Sequence, residues 1–421
     1  MAVCRAKGRG HTRTLGVLLV AAATLAVSGC GGQGDAAKPP PGPPTSFGPG
    51  VSVGPLPGSE GASTASRLPA VLDRGTAYLA DANGVRVVNT GTGQTITTIY
   101  PQHLPMGTSG AALTGPPLLT SMGGASAVVW PFLVKGPDGG NAVELASIRT
   151  DTHAASSVLV GLPGWAATSY DLSAVAVGAA DGKVLLNVAG GLYRAAVVAD
   201  AGTGKPVWTR DDFTAGALSD GTVVGTEADP EPANTQHVIG LALADGQPRW
   251  RQLNGYGFKV MSAGPKLVAV SGGVPGGADQ GSFRVLSSAN GATVSTLPIS
   301  NDLTSQCLYD QVSVTVCYAP AGADEAGAPV MAAVDAQTGA PLWTQGGVDS
   351  AATPAPRVTE VWHGLVYAST SGDTTVVLQA RSGNPAGESQ SRAPLLVDDQ
   401  AALAPSPLGN ELMARKPAAG Q

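Results

Sequence analysis

The sequence predicts an all-β ring of repeated sheets, a β-propeller, and three observations carry that reading. One phrase recurs: a short apolar strand, an Asp or small polar turn ending in Gly, then Trp. It reads Val198-Ala-Asp-Ala-Gly-Thr-Gly-Lys-Pro-Val-Trp208 and Ala333-Val-Asp-Ala-Gln-Thr-Gly-Ala-Pro-Leu-Trp343, with a shorter form in Gly240-Leu-Ala-Leu-Ala-Asp-Gly-Gln-Pro-Arg-Trp250. Copies of it return with a period of about 40–50 residues, the spacing of propeller or solenoid units. The composition agrees: 13% charged and 43% hydrophobic residues describe an ordered body, not a disordered chain. A length of 421 residues suits one closed repeat array as well as two or three ordinary domains. With a net charge of −6, 24 Lys plus Arg and no basic stripe, phosphate-driven nucleic-acid binding is not expected.

The amino terminus reads as an export signal, residues 1–29. Arg5, Lys7, Arg9 and Arg13 precede the apolar run Leu15–Val27. That run is shorter than the ~20 residues a spanning helix needs but right for a signal peptide. No twin-Arg pair precedes it, which favours Sec-type export. Val27-Ser28-Gly29-Cys30 resembles the lipobox of bacterial lipoproteins. The resemblance implies cleavage before Cys30 and a diacylglyceryl group on its thiol, hence a protein held on the extracytoplasmic face of a membrane. The alternatives are a plain secretory signal or a buried Cys. Residues 30–50 follow as a tether, Gly- and Pro-rich up to Pro44, of a composition that builds no core.

The body is expected over 51–415, with a tail over 416–421. Its units close on turn glycines at Gly93, Gly204, Gly246, Gly291, Gly339 and Gly383, and a degenerate unit places His153 where a Gly is due. Gly reaches positive φ at no steric cost, and the Asp or Asn beside it caps backbone N–H groups. Another apolar run precedes each turn, so each unit reads as three or four short strands. These runs do not alternate, as expected of sheets covered on both faces. Trp208, Trp250 and Trp343 each stand four residues after their glycine and are expected to dock against the next blade.

Asp200-Ala-Gly-Thr-Gly204-Lys-Pro-Val-Trp208 and Asp335-Ala-Gln-Thr-Gly339-Ala-Pro-Leu-Trp343 resemble the docking motif of PQQ-like (pyrrolo-quinoline quinone repeat) β-propellers. Thr97, Ser295 and Gly387 stand where that motif has Trp, so those blades are expected to dock less regularly. The carboxyl end, 393–414, supplies three strands of a last blade. The segment around Val51-Ser-Val53 is expected to add the fourth and close the ring, removing exposed sheet edges. Eight blades are favoured, with seven as the alternative.

Of four cysteines, Cys4 lies in the signal and Cys30 is the lipid site, which leaves Cys307 and Cys317. In an exported protein they are read as a structural disulfide between neighbouring antiparallel strands; two buried thiols are the alternative.

No catalytic, cofactor-binding or metal residue is assigned. Quinoprotein dehydrogenases of the resembled fold bind the quinone with Ca²⁺ and an Asp base, and many have vicinal cysteines, which this chain lacks. Asp211-Asp212 and Asp398-Asp399 are candidate cation ligands on residue type, but paired acids beside turns are ordinarily solvated. His103, His153, His237 and His363 have no metal spacing. The expectation is a monomeric, non-enzymatic, membrane-tethered binding or scaffold module without a cofactor. It would take a protein, glycan or small ligand, and the resemblance points to scaffold lipoproteins of outer-membrane assembly. The alternative is a PQQ- and Ca-dependent oxidoreductase.

Overall fold

A computed structural model describes residues 42–56, 68–81, 83–106, 116–229, 235–273, 283–299, 305–320, 329–347, 354–370, 374–389 and 391–418. The export signal, Cys30 and most of the tether lie outside the described residues. The body is all-β: apart from one 3-10 turn at Gly164–Thr168, its regular elements are strands. Among the described residues no helix is long and apolar enough to cross a membrane.

Among the described residues the strands pair antiparallel in seven sheets, six of four strands and one of seven; each four-stranded sheet is taken as one unit and the seven-stranded sheet as two that share a strand. The first runs from Ala70–Asp73 to Thr95–Ile99, the second from Leu118–Met122 to Ala155–Val160, and the third from Ser173–Ala180 to Pro206–Asp211. The fourth begins at Phe213–Ser219, and its last strand does not end where a turn is due. That strand, Pro248–Ser262, pairs with Gln236–Ala242 through its first half and with Leu267–Gly273 through its second, so it also opens the fifth unit. Gly255 makes the crossover possible, because a Cβ there would strike the carbonyl of Gly273. The sixth unit opens at Gln306–Tyr309 and the seventh at Arg357–Trp362.

The eighth unit joins the two ends of the described chain. Leu396–Val397, Ala402–Pro405 and Glu411–Pro417 pair in order, and Phe47–Pro55 adds the fourth strand, with Val51 opposite Ala414. This strand takes in Phe47–Gly50, which the sequence assigned to the tether, and its partner runs to Pro417, past the expected limit of 415. It is anchored further back as well: the Tyr367 hydroxyl donates to the carbonyl of Pro44 at 2.7 Å.

The core is divided among the junctions. Eight apolar clusters each lie between two consecutive units, and the last, around Val53, Leu72, Leu79, Leu403 and Leu412, joins the eighth unit to the first. This explains the runs that fail to alternate. Val128 faces the first unit and Val129 the third; Leu185 faces the fourth unit and Leu186 the second. Alternate side chains still point to opposite faces, but both faces are covered.

The recurrent phrase does its work at these junctions. The turn glycines Gly204, Gly246 and Gly339 have φ of 69°, 72° and 73°, and each donates its N–H to the carbonyl four residues back at 2.8 Å. His153 adopts φ 57° and makes the same bond to Arg149, so the degenerate unit keeps the turn without the glycine. The Asp200 carboxylate accepts from the Thr203 hydroxyl and the N–H groups of Thr203 and Gly202, which hold it below the usual carboxylate range. Each indole then reaches across to the next unit. Nε1 of Trp208 donates to Leu243, that of Trp250 to Ser288 and that of Trp343 to Ala380, at 3.0, 2.8 and 2.7 Å. The turn glycine of that next unit lies against the ring: a Cβ at Gly246, Gly291 or Gly383 would come within 2.9, 2.5 or 2.9 Å of it. Where Ser295 replaces Trp, the side chain of Val294 lies against Gly339 instead, and Gly387 lies against Thr45.

Cys307 and Cys317 face each other directly across the first two strands of the sixth unit, with Cα atoms 4.0 Å apart, and are joined as a disulfide. Both are buried in the cluster between the fifth and sixth units.

Candidate interaction face

Antiparallel order puts the connections between strands one and two, and between three and four, at one end of every unit. Turns such as Asp73–Thr76 and the Asp-Ala-Gly-Thr-Gly phrase make this the short-turn face. The connections between strands two and three, and from each unit to the next, share the opposite end. Several of them are longer, such as those from Ile99 to Leu118 and from Val160 to Ser173, and they form the loop-bearing face.

The exposed aromatic surface divides unevenly between the two. Among the described residues the exposed tyrosines are Tyr100, Tyr170, Tyr193 and Tyr256. Tyr100 and Tyr170 lie on connections between units, Tyr193 opens the strand Tyr193–Asp200, and Tyr256 lies within Pro248–Ser262 where it passes from the fourth unit to the fifth, all at the loop-bearing end. The densest group belongs to the second and third units. Leu192 is 94% exposed and Tyr170 90%, while Trp165 and Tyr193 stack with ring centroids 5.7 Å apart. Asp171 holds this group together: its Oδ1 accepts from the N–H of Gly191 at 2.6 Å and from the Ser169 hydroxyl at 3.1 Å. The hairpin tip and the inter-unit connection are thereby tied to one another. Beside them an open cleft of about 420 Å³ is lined by Leu159, Leu162, Pro163, Ala167, Asp138 and Asn141, among others.

The connection into the second unit is held by a buried charge. Glu144 is fully buried, and its carboxylate accepts the N–H groups of Gln102 and His103 at 2.7 and 3.0 Å, with His103 Nδ1 at 2.9 Å. Burial alone would raise this carboxyl; the hydrogen bonds outweigh it and hold it below its ordinary range. A lowered folded-state value means that its contribution to stability is complete above the ordinary carboxyl pKa of ~4.3 and is lost as pH falls through the folded value. The melting temperature is therefore expected to fall on acidification below about pH 4, and Glu144→Gln to flatten that acid limb in a thermal scan across pH.

The other titratable residues singled out from the sequence are engaged separately. Asp398 is buried and caps three N–H groups, those of Gly75, Gln400 and Ala401; burial nonetheless raises its carboxyl. Asp399 lies on the short-turn face, where it accepts from Trp362 Nε1 at 2.9 Å and pairs with His363 at 3.1 Å. His237 pairs with Asp229, and His153 Nδ1 lies 3.4 Å from the Tyr78 hydroxyl. Asp211 and Asp212 are exposed at the end of the third unit, far in the chain order from Asp398. A quinone held with Ca²⁺ needs several hard oxygen donors converging on one point. Among the described residues no group of three or more His, Cys, Asp or Glu could hold a metal ion.

No protein-family model matches the chain, and no curated protein matches it. Solved structures do. BamB from Moraxella catarrhalis aligns over 89% of this chain and 98% of its own, with 14% identity and a TM-score of 0.50. The computationally designed Ika8 protein aligns over 89% and 100%, with 16% identity and a TM-score of 0.51. Quinohemoprotein alcohol dehydrogenase from Comamonas testosteroni aligns over 89% and 78%, with 13% identity and a TM-score of 0.46. At these identities the likeness concerns the fold alone. The chain has the PQQ-like β-propeller fold.

Proposed function

We propose that this chain is a non-enzymatic binding or scaffold module, anchored through Cys30 on the extracytoplasmic face of a membrane, that engages its ligand with the loop-bearing face. The observation that carries the reading is the placement of the exposed tyrosines, all on that face. Tyrosine offers a large rigid contact surface with little rotamer entropy to lose, and it is enriched where proteins recognise one another. The short-turn face is occupied by turn capping and inter-unit bonds, such as Gly75 to Asp398. A quinone-dependent oxidoreductase is the competing reading; against it counts that no three His, Cys, Asp or Glu converge among the described residues.

Two measurements test the proposal. Titration of the purified protein with PQQ and Ca²⁺ is expected to show no saturable binding and no dye-linked alcohol or sugar oxidation; either signal would favour the oxidoreductase. Fractionation of cells carrying Cys30→Ala is expected to release the protein from the membrane. Retention with unchanged signal processing would remove the anchor from the account.

A further inference from the structure

The cleft and the aromatic group beside it lie in one sector, and its chemistry is specific enough to name an occupant. We propose that this sector, built by the second and third units, docks an extended segment of a partner protein whose aliphatic or proline anchor is flanked by Lys or Arg. The inference rests on the reading of the chain as a binding module and specifies its partner.

Three features of the sector converge. The first is apolar: Leu192 and Tyr170 project into solvent, the Trp165–Tyr193 stack stands beside them, and the adjoining cleft has walls from Leu159, Leu162 and Pro163. A contiguous exposed apolar patch on a soluble body marks an interaction site. The second is rigidity. Asp171 ties the hairpin tip to the inter-unit connection, and the 3-10 turn Gly164–Thr168 carries Trp165, with Ala166 wholly buried beneath it. Little ordering remains to be done on binding, which lowers its cost.

The third is charge. Asp138 lies at the cleft, Asp171 follows Tyr170, and Asp211-Asp212 adjoin Tyr193-Arg194 through the bond from the Asp212 N–H to the Arg194 carbonyl at 3.0 Å. Lys135, Arg194 and Arg210 are cations of the same stretches; Lys135 donates to Asn141 Oδ1 at 2.6 Å and Arg210 is paired with Glu227, which leaves four carboxylates against the charges of Lys135 and Arg194. An apolar centre with an acidic rim selects a segment with an apolar centre and basic flanks. The same rim is repelled by an anionic lipid surface. Leu192, the most exposed of these side chains, has nothing to offer a sugar hydroxyl.

The test is a random peptide library displayed on phage and selected against the full chain, followed by fluorescence anisotropy with the selected peptides. Enriched peptides are expected to carry Lys or Arg around an aliphatic residue or proline. Their affinity should fall about tenfold or more in Leu192→Ser/Tyr170→Ser, both surface changes that leave the core untouched, and should weaken with salt and in Asp211→Lys. Peptides lacking basic flanks, or bound equally by the double variant, would overturn the docking sector while leaving the binding-module reading intact. Failure to enrich any peptide would overturn the inference. If phosphatidylglycerol vesicles instead bind the full chain and lose it with Leu192→Ser, the sector contacts membrane.

Discussion

Trp250→Ala is expected to lower the free energy of unfolding by about 3–5 kcal/mol, the range for emptying a large buried aromatic site. Trp250 is 9% exposed and fills the junction between the fourth and fifth units together with Val224, Val260 and Val268. Its indole N–H also satisfies the carbonyl of Ser288, and its ring covers Gly291. Alanine would leave a cavity, an unpaired carbonyl and an uncovered turn at one place. Trp250→Phe keeps an aromatic ring but loses the hydrogen bond, so it should fall between the two, with that bond worth about 0.5–1.5 kcal/mol. Denaturant unfolding, followed at unchanged slope, measures both. Near-equality of Trp250→Ala with the parent would mean that the indole does not hold the junction.

Val53→Asp is expected to open the ring at its seam. Val53 is 2% exposed and is the one fully buried side chain of the closing strand. It belongs to the cluster that joins the eighth unit to the first, with Leu72, Leu79 and Leu412. A carboxylate has no partner there, and an uncompensated buried charge costs roughly 3 kcal/mol or more. Loss of the strand would bare the edge of Glu411–Pro417, whose N–H and C=O groups would be free to pair with another chain. The variant should therefore unfold at lower denaturant and associate at high concentration in light scattering. Val53→Ala, smaller but still apolar, should lose less stability and stay monomeric.

The ring was legible because its determinants are local. Gly204, Gly246 and Gly339 need positive φ, and the indole four residues later needs a carbonyl partner, so the phrase writes both turn and junction into adjacent residues. His153 kept its place in the count despite its chemistry because the strands on either side kept theirs. The seam was legible from the missing strand at the carboxyl end. Other features depend on contacts distant in sequence. Nothing in Pro248–Ser262 announces that one strand serves two units; its crossover rests on Gly255 meeting Gly273. Glu144 reads as a polar interruption of an apolar strand until Gln102 and His103 fold over it. The aromatic group was hidden for the same reason. Trp165, Tyr170, Leu192 and Tyr193 lie in two separate connections with no common period, and only the fold makes Asp171 bind one to the other. Exposure itself was the missing signal, since a leucine in a Gly-Gly-Leu-Tyr turn looks no different from a core residue.

Photocrosslinking in intact cells tests whether this propeller acts through its loop-bearing face. A photoreactive residue is placed at Leu192 on that face or at Val312, 56% exposed on the short-turn face. A discrete adduct from position 192, absent from position 312 at equal expression, is the predicted result. An adduct from position 312 and none from 192 would place the function on the short-turn face instead.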